Sequence, residues 1–507
     1  MNPASAGGSS PLPGDPPAEA TPPPGRPGAS PVLLLTLLAL GAGNFSVLQS
    51  LVNPALGTMG AELGADPSTS SWVLTGYLLA AAVATPLAGR LGDLYGRRNL
   101  LLGVLFLLAV GGVVAASAPT MGVLIAGRLV QGAAGALYPL SFGIVRDQLP
   151  PERVASGIGL LSGTLGVGGG IGIVAAGPVV EVLGWRWLFW IPALLTLVVL
   201  VGAWYWLPDS SSRAPGGISP LPPVLLTGWL TALLLGLSKA GVWGWTSARV
   251  LSLLAGAVVL AAAWLVSESR SPHPLVDLRV LRRRAVWATD LAALAIGFAL
   301  FGSFLLIPQL LTVPRSGGYG FGASVTVAGL FLLPSALMSL IFGPVSGRLS
   351  TRYGTRGLIT GGALVVAASM ALPALDHSGY WQLLVCSTGL GIGMGLAFAA
   401  LANAVVEHVP PSQIGVATGV NTLARSLGGS LGTALVATSL VSDSGFTRGF
   451  WICALAGLVS AVTGLCIPRG RGPARCEAPD PASSAPQPPR PPRPASGLTT
   501  PASPRPR

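Results

Sequence analysis

Long apolar runs and short polar gaps alternate along nearly all of the 507 residues. A helix that crosses a bilayer needs roughly 20 mostly apolar residues. Runs of that kind fall at about 32–56, 71–89, 99–117, 119–144, 154–180, 186–207 and 220–240. Seven more follow at about 247–266, 285–312, 324–347, 357–375, 379–406, 412–439 and 447–467. The pattern predicts an all-α membrane protein of fourteen spanning helices. Residues 1–30 and 468–507 break it, being rich in Pro with Gly, Ala, Ser or Arg. Neither segment can bury enough apolar surface to offset its ordering entropy, so both are expected to be disordered. The first lacks a basic stretch, a short apolar core and a cleavage site, so the first run is expected to be an uncleaved span.

The polar gaps carry a repeat. Gly89-Arg-Leu-Gly-Asp-Leu-Tyr-Gly-Arg-Arg98 returns as Gly347-Arg-Leu-Ser-Thr-Arg-Tyr-Gly-Thr-Arg356, 258 residues later. Pro150-Pro151, opening predicted helix 5, returns as Pro410-Pro411, opening predicted helix 13, 260 residues later. Two motifs duplicated at nearly one offset indicate an internal parallel repeat, the pattern of two-halved secondary transporters. The expected organisation is a tail (1–30), a six-helix bundle (31–207), two bridging helices with a basic loop (208–284), a second six-helix bundle (285–467) and a tail (468–507).

Charge fixes the orientation. With both termini cytoplasmic, 22 of the 29 Lys and Arg fall on the inner side. Five fall outside (Arg186, Lys239, Arg249, Arg315 and Arg448), and Arg128 and Arg425 lie within helices. That is the positive-inside asymmetry. Trp185, Trp187 and Trp190 at one end of helix 6, and Trp204 and Trp206 at the other, mark two interfaces.

Composition removes other classes. Charged residues are only 9% of the chain, against about 25% in an ordinary soluble domain, and mean hydropathy is +0.68. The pI near 10.5 does not point to nucleic acid, because the basic residues sit in membrane-flanking gaps. Cys386, Cys453, Cys466 and Cys476 contain no CxxC pair, so neither a disulfide framework nor a zinc site is expected. His273, His377 and His408 lie in separate loops, a poor basis for a membrane-embedded enzyme. No GxxxxGK[ST] loop exists for a self-contained ATP-driven pump.

These residues resemble the major facilitator superfamily, and within it the fourteen-helix drug:proton antiporters. Gly89, Leu91, Asp93, Gly96, Arg97 and Arg98 resemble the superfamily's loop 2–3 signature. Arg128-Leu-Val-Gln131-Gly132-Ala-Ala-Gly135 resembles the helix 4 signature of proton-driven members. The glycine-dense helix 5, followed by Gly184-Trp-Arg-Trp-Leu-Phe189, resembles the antiporter signature of exporters. Two departures stand out. Exporters of this branch carry an acid in helix 1 before a V-N-x-A-L-P run. Here the run is Val52-Asn53-Pro54-Ala55-Leu56-Gly57, with Leu48 at the acid position. The helix 5 proline is also absent, since Ile173 follows Gly172.

Asp93 leaves helix 2 among glycines. It is expected to pair with Arg97 or Arg98, or to face the amino end of another helix, and the resemblance implies a conformational latch. A tight interfacial turn is the bland alternative. Arg128 stands nine positions into helix 4, about 14 Å deep at ~1.5 Å per residue, where a guanidinium costs at least about 2.5 kcal/mol. With Gln131 it is read as part of a proton-responsive cavity, against a structural ion pair. Arg425 and Asn421 on helix 13 are candidates of the same kind. Asp290 in helix 9 is the best acid for proton coupling, the alternative being an interfacial acid beside Arg284; Glu407 is weaker. Of the helix 5 glycines Gly163, Gly166, Gly168, Gly169, Gly170, Gly172 and Gly177, the antiporter-like set is Gly166, Gly170, Gly172 and Gly177. They are expected to serve close packing and bending.

The expected function is proton-coupled efflux of hydrophobic drugs or antibiotics, cationic ones included, by alternating access. An elementary charge crossing 100 mV is worth about 2.3 kcal/mol, which favours proton entry. No cofactor or metal is expected, and the partners are substrate, protons and the lipid bilayer, with no nucleic acid. A monomer in a bacterial-type plasma membrane is expected. Transport of one endogenous metabolite is the alternative, and a membrane-embedded enzyme a distant third.

Overall fold

The computed structural model describes residues 30–52, 55–208, 217, 219–272, 274–314, 320–410, 413–440 and 445–468. The tails at 1–29 and 469–507, Asn53, Pro54, Arg213, His273, Arg315, Pro411 and Cys476 lie outside them.

Long helices follow the apolar runs closely. The first six are α1 (Pro31–Leu51), α2 (Trp72–Tyr95), α3 (Arg97–Ala116), α4 (Met121–Gln148), α5 (Pro151–Leu183) and α6 (Trp187–Trp206). The bridging pair is α7 (Leu221–Trp243) and α8 (Ala248–Arg270). The last six are α9 (Arg284–Thr312), α10 (Thr326–Ser350), α11 (Arg352–Leu375), α12 (Tyr380–His408), α13 (Ile414–Ser439) and α14 (Gly445–Leu465). Among the described residues, thirteen helices are long and apolar enough to cross a membrane. α13 is not among them, because Asn421, Arg425 and many Gly, Ser and Thr residues dilute its apolar ones. Those polar and small positions are turned inward: Gly415, Thr418, Gly419, Asn421, Thr422 and Arg425 are all buried.

Both copies of the repeated segment turn at the same glycine. Gly96 (φ 99°) separates α2 from α3, and Gly354 (φ 74°) breaks the helix early in α11. Side chains with a Cβ rarely adopt that backbone, so glycine is required at each turn. The first glycine of each copy does a different job. A Cβ on Gly89 would run into the Gly415 carbonyl at the start of α13, and one on Gly347 into the Ala155 carbonyl at the start of α5. Each repeat thus docks on the helix that follows the opposite Pro-Pro pair.

α5 is a wedge between two neighbours. Gly159, Gly163, Gly166 and Gly170 recur at helical spacing and face Gly343, Ser339, Leu340 and Ala336 of α10. Gly168 and Gly172 face Ser46, Val47 and Ser50 of α1, and Ser50 Oγ donates to the Gly168 carbonyl at 2.5 Å. Gly177 differs, with only ordinary contact to Thr326. The bridging pair sits at the periphery: 17% of the apolar window of α8 and 33% of that of α7 is buried, against 67% for α12. Leu226, Leu230 and Leu234 of α7 pack with Ala82 of α2 and with Val416 and Leu423 of α13. Lys239 Nζ donates to Ser71 Oγ at 2.7 Å, fastening α7 to the start of α2.

Replacing Gly89 with leucine should disfavour closure of α2 on α13 by about 1–3 kcal/mol, the usual cost of overpacking. In a background without native cysteines, a cysteine placed at Val406 should then react faster with a membrane-impermeant maleimide. An unchanged rate would show that this glycine contact does not govern closure.

Candidate functional site

Asp93 ends α2 with a fully buried carboxylate. Its Oδ1 accepts from Arg97 Nη2 at 2.8 Å and from Arg97 Nε at 3.2 Å. Its Oδ2 accepts from the Val416 N–H at 3.4 Å, at the amino end of α13. An anion there meets both a guanidinium one turn away and the unpaired donors and dipole of a helix start. Both expected arrangements therefore occur together, and the pairing is to Arg97. Arg98 instead donates to the Leu207 and Trp204 carbonyls at 2.7 and 2.8 Å, closing the end of α6. Arg97 Nη1 also reaches Asp147 at 2.7 Å and the Gly143 carbonyl at 3.2 Å, tying α2, α3 and α4 into one ionic cluster.

Sequence reasoning missed two residues here. Arg146, read only as an inner-side charge, donates to the Val406 carbonyl of α12 at 2.6 Å and crosses between the first and last six helices. Asp147 was not singled out at all. The repeat carried a signal for it, because Asp147 and Glu407 stand one offset of 260 apart. In the second copy Thr355 replaces Arg97, and its hydroxyl donates to Glu407 at 3.4 Å. The side chain of Thr351, in the place of Asp93, lies outside what is described.

Arg128 is completely buried in α4 without a carboxylate partner among the described residues. Its Nε donates to the Val73 carbonyl at 3.1 Å and its Nη1 to Gln131 Oε1 at 3.0 Å. Its guanidinium carbon lies 3.8 Å from the Tyr77 ring centroid, and Nη2 has no partner. The alternative of a structural ion pair is thus not what holds it; hydrogen bonds and an aromatic face do. Gly132 and Gly135 allow the approach of α2, since a Cβ on either would meet Tyr77, Ala80, Ala81 or Thr85.

Asp290, the seventh residue of α9, accepts from Asn421 Nδ2 at 2.9 Å. Asn421 Nδ2 also lies 3.4 Å from the Thr289 carbonyl. The acid is held by a neutral amide on α13, and no ion pair joins it to Arg284 among the described residues. Arg425, one turn beyond Asn421, is 9% exposed and lies 5.0 Å from the Phe398 ring centroid of α12. Facing it electrostatically is Tyr138 of α4. The Tyr138 hydroxyl meets Ser46 Oγ at 2.7 Å and Thr164 Oγ1 at 3.0 Å, and donates to the Ala42 carbonyl at 3.2 Å. Leu48, standing at the usual acid position, is buried in the apolar core of the first six helices. The chain therefore brings Asp93, Arg97, Gly89 and Gly96 together at one end. Asp290, Asn421 and Arg425 gather along α13, and Arg128 with Gln131 forms a separate group on α4.

A family model described as the Major Facilitator Superfamily matches residues 38–433 and 292–504. The tetracenomycin C resistance and export protein of Streptomyces glaucescens is 31% identical over 429 residues, covering 81% of this chain and 76% of that protein. A multidrug resistance protein B homolog of Mycobacterium tuberculosis is 30% identical over 403 residues, covering 77% and 73%. Among solved structures, the human organic anion transporter MFSD10 (TETRAN) aligns with a TM-score of 0.63, covering 87% of this chain and 100% of that one. At 15% identity that likeness concerns the fold alone.

Asp93→Asn should weaken the closed end by about 3–5 kcal/mol, the usual cost of breaking a buried pair. Asp147→Asn should cost about 1 kcal/mol, because its partly exposed carboxylate is better screened and Arg97 keeps Asp93. Spin-label distances between the adjacent ends of α4 and α12 should lengthen in the first variant far more than in the second. Equal lengthening would make Asp93 no more than one member of the cluster.

Proposed function

This chain belongs to the major facilitator superfamily of membrane transporters, and on that premise we propose that it exports hydrophobic drugs or antibiotics in exchange for protons. Its relatives include proteins named for antibiotic export and multidrug resistance, which supports the cargo and the direction. Fourteen spans with both termini cytoplasmic fit the distribution of 22 inner against five outer basic residues. The first six and last six helices then act as two bodies, with α7 and α8 as a peripheral bridge. On this topology Asp93, Arg97, Arg98, Gly89 and Gly96 form a cytoplasmic latch. α13 leaving α2 would strip the Val416 donor from a buried carboxylate, so opening is opposed until substrate or proton binding compensates.

The observation that carries proton coupling is the Asp290–Asn421 pair. A carboxylate locked to a guanidinium has to break an ion pair to gain a proton. Asp290 is held by a neutral amide at 2.9 Å, which can serve the charged carboxylate as donor and the neutral acid as acceptor after an amide rotation. It thereby takes the coupling role that Leu48 leaves vacant in helix 1. Arg128 and Gln131, with one guanidinium nitrogen unpartnered, respond to the charge and arrangement of the cavity. The α5 glycines Gly166 and Gly170 supply the sliding surface against α10, and Gly172 the contact with α1.

Everted vesicles acidified inside should accumulate a fluorescent substrate, and collapsing the pH gradient should abolish accumulation. Asp290→Asn should retain downhill exchange while losing dependence on the gradient. Accumulation indifferent to the gradient in the parent protein would defeat proton coupling; normal coupling in Asp290→Asn would move the proton carrier elsewhere.

A further inference from the structure

Two buried arginines, Arg128 and Arg425, stand within helices, and they are not equivalent. Arg425 is the twelfth residue of a 26-residue helix, about 18 Å along it at ~1.5 Å per residue. Burying a guanidinium in a spanning bundle costs several kcal/mol unless hydrogen bonds or an anion offset it. Arg128 has such offsets in the Val73 carbonyl, Gln131 and the Tyr77 face. Arg425 makes no hydrogen bond or ion pair among the described residues, yet it is more than nine-tenths buried and retains 9% exposure. Its guanidinium carbon lies 5.0 Å from the Phe398 ring centroid on α12.

Among the described residues, no acid forms an ion pair with it. Asp290 is engaged by Asn421 at 2.9 Å, and Asp93 is engaged by Arg97 at 2.8 Å. Tyr138 of α4, within electrostatic range of Arg425, is a phenol already held by Ser46 and Thr164. Close helix packing fixes the arginine's backbone as well, since Cβ atoms on Gly297 and Gly428 would run into the Arg425 and Leu294 carbonyls. The result is a planar five-donor fork that meets no acceptor among the described residues.

We propose that Arg425 forms a cargo subsite for a compound carrying an ionised acid group. The inference rests on the export reading above, because it names the chemical class of what is exported. The guanidinium supplies a bidentate, charge-assisted contact to a carboxylate or phenolate. This cargo narrows the expected hydrophobic compounds to those with an anionic group, opposite in charge to the cationic ones that the sequence reading included.

Binding of three isosteric probes to the purified full-length chain in lipid nanodiscs tests this: anthracene-9-carboxylate, 9-anthracenemethanol and 9-anthracenemethylammonium. The carboxylate should bind about tenfold more tightly than the other two, as expected for one hydrogen-bonded charge contact. Arg425→Gln should erase that preference, and Arg425→Lys should keep part of it. The comparison among probes needs no variant, so it stands even if a substitution fails to fold. Equal affinity for the three probes, or a preference that survives Arg425→Gln, would overturn the proposal. Everted vesicles separate it from the export reading. Gradient-driven accumulation of the probes without carboxylate preference sinks the acid subsite and leaves export intact. Arg425-dependent preference without accumulation supports the subsite and sinks export.

Discussion

A carboxylate with no access to water has to be surrounded by donors, and Asp93 finds its donors on two different bodies. Arg97 comes from the same turn region and is always near. The Val416 N–H comes from α13, more than three hundred residues away in the chain, and is present only when α13 lies against α2. Desolvation makes each missing donor expensive, because a buried charge left under-coordinated has nothing else to turn to. Closure of this end and satisfaction of Asp93 are therefore one event. Arg146, donating to the Val406 carbonyl, adds a second crossing at the same end.

That event requires a separation only small residues allow. Gly89 against Gly415, Gly347 against Ala155, and the α5 glycines against α10 bring backbones into direct contact. The repeat supplies this steric scaffold twice, but it supplies the ionic cluster once. Asp93, Arg97 and Asp147 occupy one copy; Thr351, Thr355 and Glu407 occupy the other. A nearly symmetric frame thus carries a charge-locked contact on one side and a contact dominated by glycine packing on the other. Such a frame has a built-in electrostatic bias.

Deeper in the bundle the same desolvation argument sorts the remaining charges. Arg128 is held by a carbonyl, an amide and an aromatic face, with Nη2 left unpartnered among the described residues. Asp290 is settled by a neutral amide. Arg425 meets neither anion nor hydrogen bond among the described residues, and on our proposal the cargo completes its environment.

The linear pattern by itself determined the helices, because spanning segments answer to the bilayer rather than to one another. A run of apolar residues of sufficient length has one low-energy state in lipid, and its boundaries followed the basic gaps to within a few residues for most of the helices. The turn glycines were also legible, since Gly96 and Gly354 occupy matching positions in a visible repeat. The buried charges at Asp93, Arg128, Asp290 and Arg425 were visible as polar residues where polarity is costly. Their partners were not. Asp93 could have chosen Arg97, Arg98 or a helix end; Asp290 could have chosen Arg284 rather than Asn421; Arg128 and Arg425 could each have found an acid. Arg146 looked like any other inner-side arginine until α12 lay beside it. Those choices depend on which helix faces come within about 3 Å across long stretches of chain, a scale set by hydrogen-bond length. Only tertiary packing decides it, because hydropathy and spacing describe each helix against its solvent and leave its neighbours undetermined.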